Sequence, residues 1–214
     1  MKFPQLVGIA RSFACWALVL SILAAASLSI QAQEMTDRQV VPAYDFSTIQ
    51  MPVEIVSISL NGKEIRPGEK IKGNGNWLRG ISFRVKNISD QPLAYVNIGF
   101  KFPLPNGFVV VNVLNYGINL SHGDFRTEPS QPAIQPGQTL DLVLTKQRYD
   151  SFLYVLAQAS APSSFETAPY FVERVCFENQ PDVIWQDGFL KRRNAAEIGR
   201  FDAFERYVLP VKQK

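Results

Sequence analysis

The chain has 214 residues, of which 46% are hydrophobic, 12% aromatic and 19% charged, with 13 glycines and 14 prolines. These proportions exclude a disordered, collagen-like or low-complexity protein. The formal charge is +3, but Lys2 and Arg11 lie in a leader without acidic residues; without those two, 20 basic residues face 19 acidic ones, which leaves no electrostatic case for nucleic acid or an anionic membrane.

Residues 1–32 read as an export signal, a helical signal peptide. Lys2 and Arg11 supply the positive n-region, residues 13–23 an apolar h-region, and Ala24-Ala25-Ala26 a small-residue flank. Cleavage after Ala32 is expected, with Ala26 fitting the A-x-A form as the other candidate. The competing reading is an uncleaved anchor from Phe13 to Ile30, a stretch without charge but rich in Ser and Ala for a spanning helix. Export would place the domain in the periplasm or medium with no stable membrane span after cleavage. Cys15 leaves with the leader, so the domain must hold together by its core rather than by a disulfide. Cys176, in an apolar run, is expected to be a buried and inert thiol.

Residues 33–51 are polar and aperiodic and read as a linker that could end in a short edge segment. Residues 54–60 alternate, with Ile55, Ser57 and Ser59 on one face and Val56, Ile58 and Leu60 on the other. Asn61-Gly62 is a hairpin signal because both positions tolerate positive φ. Lys63-Glu64-Ile65 returns and Pro67-Gly68 turns again. Gly73-Asn-Gly-Asn76 turns into a strand read over residues 77–87, with Ile81, Phe83 and Val85 facing inward. After turn residues 87–92, residues 93–102 alternate, with Ala94, Val96, Ile98, Phe100 and Phe102 on a buried face and Tyr95, Asn97, Gly99 and Lys101 on a wet one. The apolar run over residues 108–114 fits a buried central strand, and residues 117–136 form a long polar connection. Residues 139–144 form another strand.

The period then changes. Tyr149, Phe152, Leu153 and Leu156 mark one face of a helix that Thr145 could cap and Ala161-Pro162 ends, although an alternating strand can also be drawn through residues 152–157. Residues 170–178 and 183–186 are strands, and Gln186-Asp187-Gly188 turns into residues 189–193. In the tail, Asn194 and Glu197 could form a capping box, and residues 207–211 could pair as a last strand. Short strands at about 8–12-residue spacing, without a βαβ rhythm, predict an all-β, immunoglobulin-like antiparallel β-sandwich with one short helix. The expected organisation is signal peptide 1–32, linker 33–51, sandwich 52–193 and tail 194–214.

One stretch carries a resemblance. A strand ending Val85-Lys-Asn-Ile-Ser89, a turn, then Ala94-Tyr-Val-Asn-Ile-Gly-Phe100 resembles exported bacterial immunoglobulin-like domains of the FxLYD type, as does Ile134-Gln-Pro-Gly-Gln138 before a strand. Phe177 with Trp185-x-x-Gly188 is similar to the C-terminal hairpin of uncharacterised secreted bacterial proteins with this layout. The likeness spans residues 53–193 and implies a fold and an exported location, with no catalytic residues.

Chemistry is sparse. His122, the one histidine, sits in a loop beside Asp124 and Glu128, too few groups for a metal set and without a G-x-S-x-G elbow for a serine hydrolase. Gly73-x-Gly75 lacks the Lys-Ser/Thr of a phosphate loop and reads as a relaxed turn. Asn87-Ile-Ser89 and Asn119-Leu-Ser121 match the N-glycosylation pattern. Lys191, Arg192 and Arg193 adjoin Trp185 and Phe189 and form the candidate interaction patch, against the plainer reading of a solvated strand end with Trp185 packed inward. The expectation is a non-catalytic exported domain that binds a protein or an envelope glycan, needing no cofactor or metal. The alternative is a small extracytoplasmic hydrolase built from scattered carboxylates.

Overall fold

The computed structural model describes residues 35–45, 47, 49–117, 131–162, 164–193 and 200–208, with Phe204 described by its backbone alone. The chain divides into two units, Met1–Met35 and Thr36–Lys214. Of the first only Met35 is described, so the leader lies outside the described residues. The second is an all-β sandwich with one helix.

Its smaller sheet has four strands in the order β3 (Lys63–Ile65), β2 (Val53–Leu60), β5 (Ile81–Asn87) and β8 (Thr139–Val143). The larger sheet is organised around β9 (Thr167–Phe177). One edge of β9 pairs antiparallel with β6 (Leu93–Leu104), which pairs in turn with β7 (Gly107–Gly117). The other edge of β9 is divided between two strands. Strand β1 (Thr36–Pro42) runs parallel along Thr167, Ala168, Pro169 and Tyr170, while β10 (Gln180–Gln186) runs antiparallel along Val175, Cys176 and Phe177. Beyond β1 lies β4 (Ile71–Gly73), and beyond β10 lie β11 (Phe189–Arg193) and β12 (Phe201–Arg206).

The core sits between the sheets. Phe83 of β5 meets Phe100 of β6 at 6.2 Å and Tyr170 of β9 at 5.1 Å between ring centroids. Helix α1 (Lys146–Gln158) adds Phe152 against Phe100 and Phe102. Its start follows from Thr145, whose hydroxyl accepts from the Arg148 backbone N–H, and its buried residues are Tyr149, Phe152 and Leu156, three of the four on the face read from the sequence. Phe83, Val85, Val96, Ile98 and Phe100 are all buried as their alternation predicts, and so is Cys176. Both predicted tight hairpins form, with left-handed φ at Asn61 and Gly62 (50° and 81°) and at Asp187 and Gly188 (54° and 86°).

The two stretches that carry the family resemblance dock on each other. Asn87 is buried, its Nδ2 donating to the carbonyls of Gln91 and Ile134 (2.8 Å each) and its Oδ1 accepting from the backbone N–H and hydroxyl of Ser89. The Asn87 N–H donates to Gln138 O, and the Gly137 N–H donates to Asn87 O. With its amide nitrogen spent on two carbonyls, Asn87 is a structural corner and not an accessible glycan acceptor. Asn119 lies outside the described residues.

Several expectations need correction. The stretch read as a linker contains β1, whose Val40 is fully buried; its polar neighbours hid a strand that needs only two inward positions, Arg38 and Val40. Arg38 earns its burial through the carbonyls of Phe165 (2.6 Å) and Gly73 (3.4 Å). The tail likewise contributes β12 at Phe201–Arg206; of the residues 207–211 read as a last strand, Tyr207 and Val208 are not in a strand and the others lie outside the described residues, as does the pair Asn194 and Glu197. Residues 77–80 are a turn, with hydrogen bonds from Trp77 N to Asn74 O and from Ile81 N to Leu78 O, so β5 begins only at Ile81. The sandwich is not wholly antiparallel, because β1 and β9 are parallel.

Two further differences concern faces. Pairing passes from Ile55↔Val85 directly to Ser57↔Arg84, leaving Val56 as an extra, exposed residue. This bulge reverses the alternation midway along β2, so that Ile55 and Ile58 both turn toward the core while Ser57 and Ser59 turn to the outer surface. On β6 the expected wet face is buried: Tyr95 clusters with Cys176 and Ile184, and Asn97 and Gly99 are buried too. A Cβ at Gly99 would come within 2.5 Å of Asn112 Oδ1, the end of an exposed side chain, and 3.1 Å of the Phe171 ring, so a larger residue there would need both to give way.

Candidate functional site

The predicted patch on the last hairpins is split by register. Trp185 pairs with Leu190 on the core side, whereas Lys191 pairs with Ile184 on the opposite face. Trp185 is 1% exposed and its Nε1–H donates to the Gln50 carbonyl at 3.0 Å, which is the plainer of the two sequence readings. Lys191 is drawn back onto its own hairpin, its Nζ 3.0 Å from Gln186 Oε1 and 3.5 Å from Asp187 Oδ2. Arg193 lies 3.6 Å from Asp182 and over the Phe201 ring. Phe189 and Arg192 are exposed. The five residues therefore do not form one surface, and His122 lies outside the described residues.

Trp185 does border a cleft that the fold creates. Where β1 leaves β9 and β10 has not yet joined it, the chain after β1 crosses the gap. There Tyr44, Ile49, Val172, Trp185 and Asp187 line an open hollow of about 300 Å³. Its wall is mostly apolar, with Asp187 at the rim beside Lys191. Tyr44 packs edge-on against Phe171, at 5.6 Å, and its hydroxyl accepts from Lys101 Nζ at 3.0 Å. Lys101 Nζ also lies 3.9 Å from the centroid of the Phe108 ring. Phe108 is 57% exposed and Tyr44 37%, so an aromatic ledge with a cation between its rings continues from the hollow. Sequence reading missed this cleft because its parts come from β1's connection, β6, β7, β9 and the β10–β11 hairpin. Only the fork in the sheet brings them together.

A second cleft lies on the outer face of the smaller sheet. It is an open trough of about 340 Å³ lined by Ser57, Ser59, Gly62, Glu64, Ser82, Arg84, Asp141 and Val143. The Arg84 guanidinium donates to both Asp141 oxygens, at 2.8 and 3.0 Å. That contact holds the Asp141 carboxyl below its ordinary range and raises Arg84. A carboxyl kept ionised in this way cannot act as a general acid near neutral pH, so Asp141 does not supply the acid half of a glycosidase pair.

Burial pushes the tyrosine hydroxyls of Tyr95, Tyr149 and Tyr170 upward, and that of Tyr207 up to about 12. These are packing effects of the core, not features of either cleft. No group of three or more His, Cys, Asp or Glu side chains that could share a metal occurs among the described residues. No helix among them is long and apolar enough to cross a membrane. No protein family, curated protein or solved structure matches the chain.

Proposed function

We propose that this is a non-catalytic, exported β-sandwich domain that binds a protein partner at the fork beside β9. The supporting observation is the conjunction of an apolar hollow with the exposed ledge of Tyr44, Lys101 and Phe108. Solvent-exposed aromatics bordering a concave apolar site are what protein interfaces use as anchors. Export rests on the leader: Lys2 and Arg11 ahead of an apolar stretch and a small-residue flank. The likeness to FxLYD-type exported domains points the same way.

Site-specific photo-crosslinking in native cells tests the binding face. A photoreactive phenylalanine analogue replacing Phe108 should give one discrete adduct, and the same group replacing the equally exposed Tyr154 on α1 should give none. Equal adduct patterns from the two positions would refute a binding face at the fork. N-terminal sequencing of the exported protein should begin at Gln33, and a start at Met1 in the membrane fraction would favour the anchor.

A further inference from the structure

We propose that the trough on the outer face of the smaller sheet is a binding site for a neutral saccharide, recognised through a pair of adjacent hydroxyls. This site is separate from the fork, on the other sheet, and does not depend on the reading given to it.

The register explains why a trough exists. Two rows of cross-strand neighbours cross the sheet: Glu64, Ser59, Ser82 and Val143 form one, and Ser57, Arg84 and Asp141 the other. In the first row Ser59 and Ser82 stand between longer side chains, and in the second Ser57 stands at the end beside Arg84, so the surface dips over the three serines. A solvent-facing sheet normally gains from β-branched or aromatic cross-strand pairs, and these serines forgo that gain. The serines of β2 reach this face only because of the bulge at Val56; unbroken alternation from Ile55 would have pointed them into the core. Bulges recur where a strand must re-aim side chains at a site.

The chemistry of the dip is a set of matched donors and acceptors. The two Arg84–Asp141 hydrogen bonds use Nε and Nη2, leaving the Nη1 hydrogens as donors and a lone pair on each carboxylate oxygen as acceptor. A planar donor edge therefore stands beside a planar acceptor edge, already fixed in place. Each hydroxyl of a vicinal diol both donates and accepts, so a diol can engage both edges together. Ser59 and Ser82 share one hydrogen bond of 2.6 Å, which leaves a hydroxyl hydrogen and lone pairs for a ligand, and the Ser57 side chain lines the same dip. One guanidinium against the carboxylates of Asp141 and Glu64 disfavours an anionic ligand. The volume of about 340 Å³ falls within the range of small-molecule clefts, at its lower end.

The test is a titration of the isotopically labelled domain with maltotriose, chitotriose, mannotriose and trigalacturonate, followed by amide chemical shifts. At least one neutral trisaccharide should shift the amides of Ser57, Ser59, Ser82, Arg84 and Asp141 saturably, and more strongly than trigalacturonate. Ser82→Leu, which fills the dip, should weaken binding by roughly tenfold or more. Arg84→Lys keeps the charge but loses the fork and should weaken it similarly, which covers the case in which Ser82→Leu fails to fold. Three results would overturn the proposal: no neutral sugar moves these amides, trigalacturonate binds best, or binding survives both substitutions.

Discussion

Strand β5 of the smaller sheet and strand β6 of the larger one alternate with the same period, yet their second faces meet opposite fates. On β5, Ser82, Arg84 and Lys86 look outward, and the first two line a trough open to solvent. On β6, Tyr95, Asn97 and Gly99 are buried, Tyr95 against Cys176 and Ile184. Asn97 spends its amide on Glu173 Oε2 at 2.8 Å. A period of two says which residues share a face, but not what covers the second one. Side-chain chemistry is the better guide, since Ser, Arg and Lys suit water whereas Tyr and Gly tolerate close cover.

The largest test of this contrast lies on the face both strands share. Phe100→Ala removes a ring in contact with Phe83, Phe102 and Phe152 and should cost ~3–5 kcal/mol in reversible urea unfolding. A loss below about 1 kcal/mol would mean that β6 is packed in another register. The contrast itself is tested on the second faces. Ile184→Ala, on the buried outer face of the larger sheet, should cost ~2–5 kcal/mol. Ser82→Ala, on the outer face of the smaller sheet, should stay within about 0.5 kcal/mol. Similar costs at the two positions would erase the distinction.

Deleting Val56 sharpens the comparison. Removing the unpaired residue restores one-to-one pairing of β2 with β5 and leaves Ile58 inward and Ser57 outward. The deletion should therefore change stability by no more than about 1 kcal/mol and keep the serines in the trough. Strict alternation without a bulge would instead turn Ile58 outward and unfold the strand. The smallest effect is acidic. Because Arg84 depresses the Asp141 pKa in the folded state, the pair stabilises the fold above the ordinary carboxylate pKa, and this is lost as pH falls through the depressed value. Arg84→Gln should flatten that part of the acid-unfolding curve slightly, as expected of an exposed pair.

Much of the fold was legible where a local rule governs it. Asn61-Gly62 and Asp187-Gly188 need left-handed φ, and α1 shows its buried stripe from Tyr149 to Leu156. Strands held by distant partners were not legible. Strand β1 has only Arg38 and Val40 buried, one of them charged, so its sequence resembles a linker. The bulge at Val56 leaves no mark in a run where apolar and polar residues both alternate plausibly. Neither cleft was legible. The fork takes its parts from five segments, and the trough depends on cross-strand register that hydrophobic pattern does not encode. The patch drawn from sequence proximity around Trp185 and Lys191 fails for the same reason, because the β10–β11 register sets the two one step apart and therefore on opposite faces.

The parallel pairing of β1 with β9 also bears on the order of assembly. Gln39 and Thr167, hydrogen-bonded through their side chains, are 128 residues apart. Strand β9, which joins β6, β1 and β10, comes from the last quarter of the chain, so of the larger sheet only the β6–β7 hairpin and the edge pair β1–β4 can form from local sequence before it arrives. Closing such long loops costs entropy before any contact repays it, and chains dominated by non-local pairing fold slowly. A nascent chain emerging from the ribosome would thus leave its larger sheet incomplete until its last quarter is available. Under the export proposed above, a chain threaded unfolded through a membrane pore would gain from that delay.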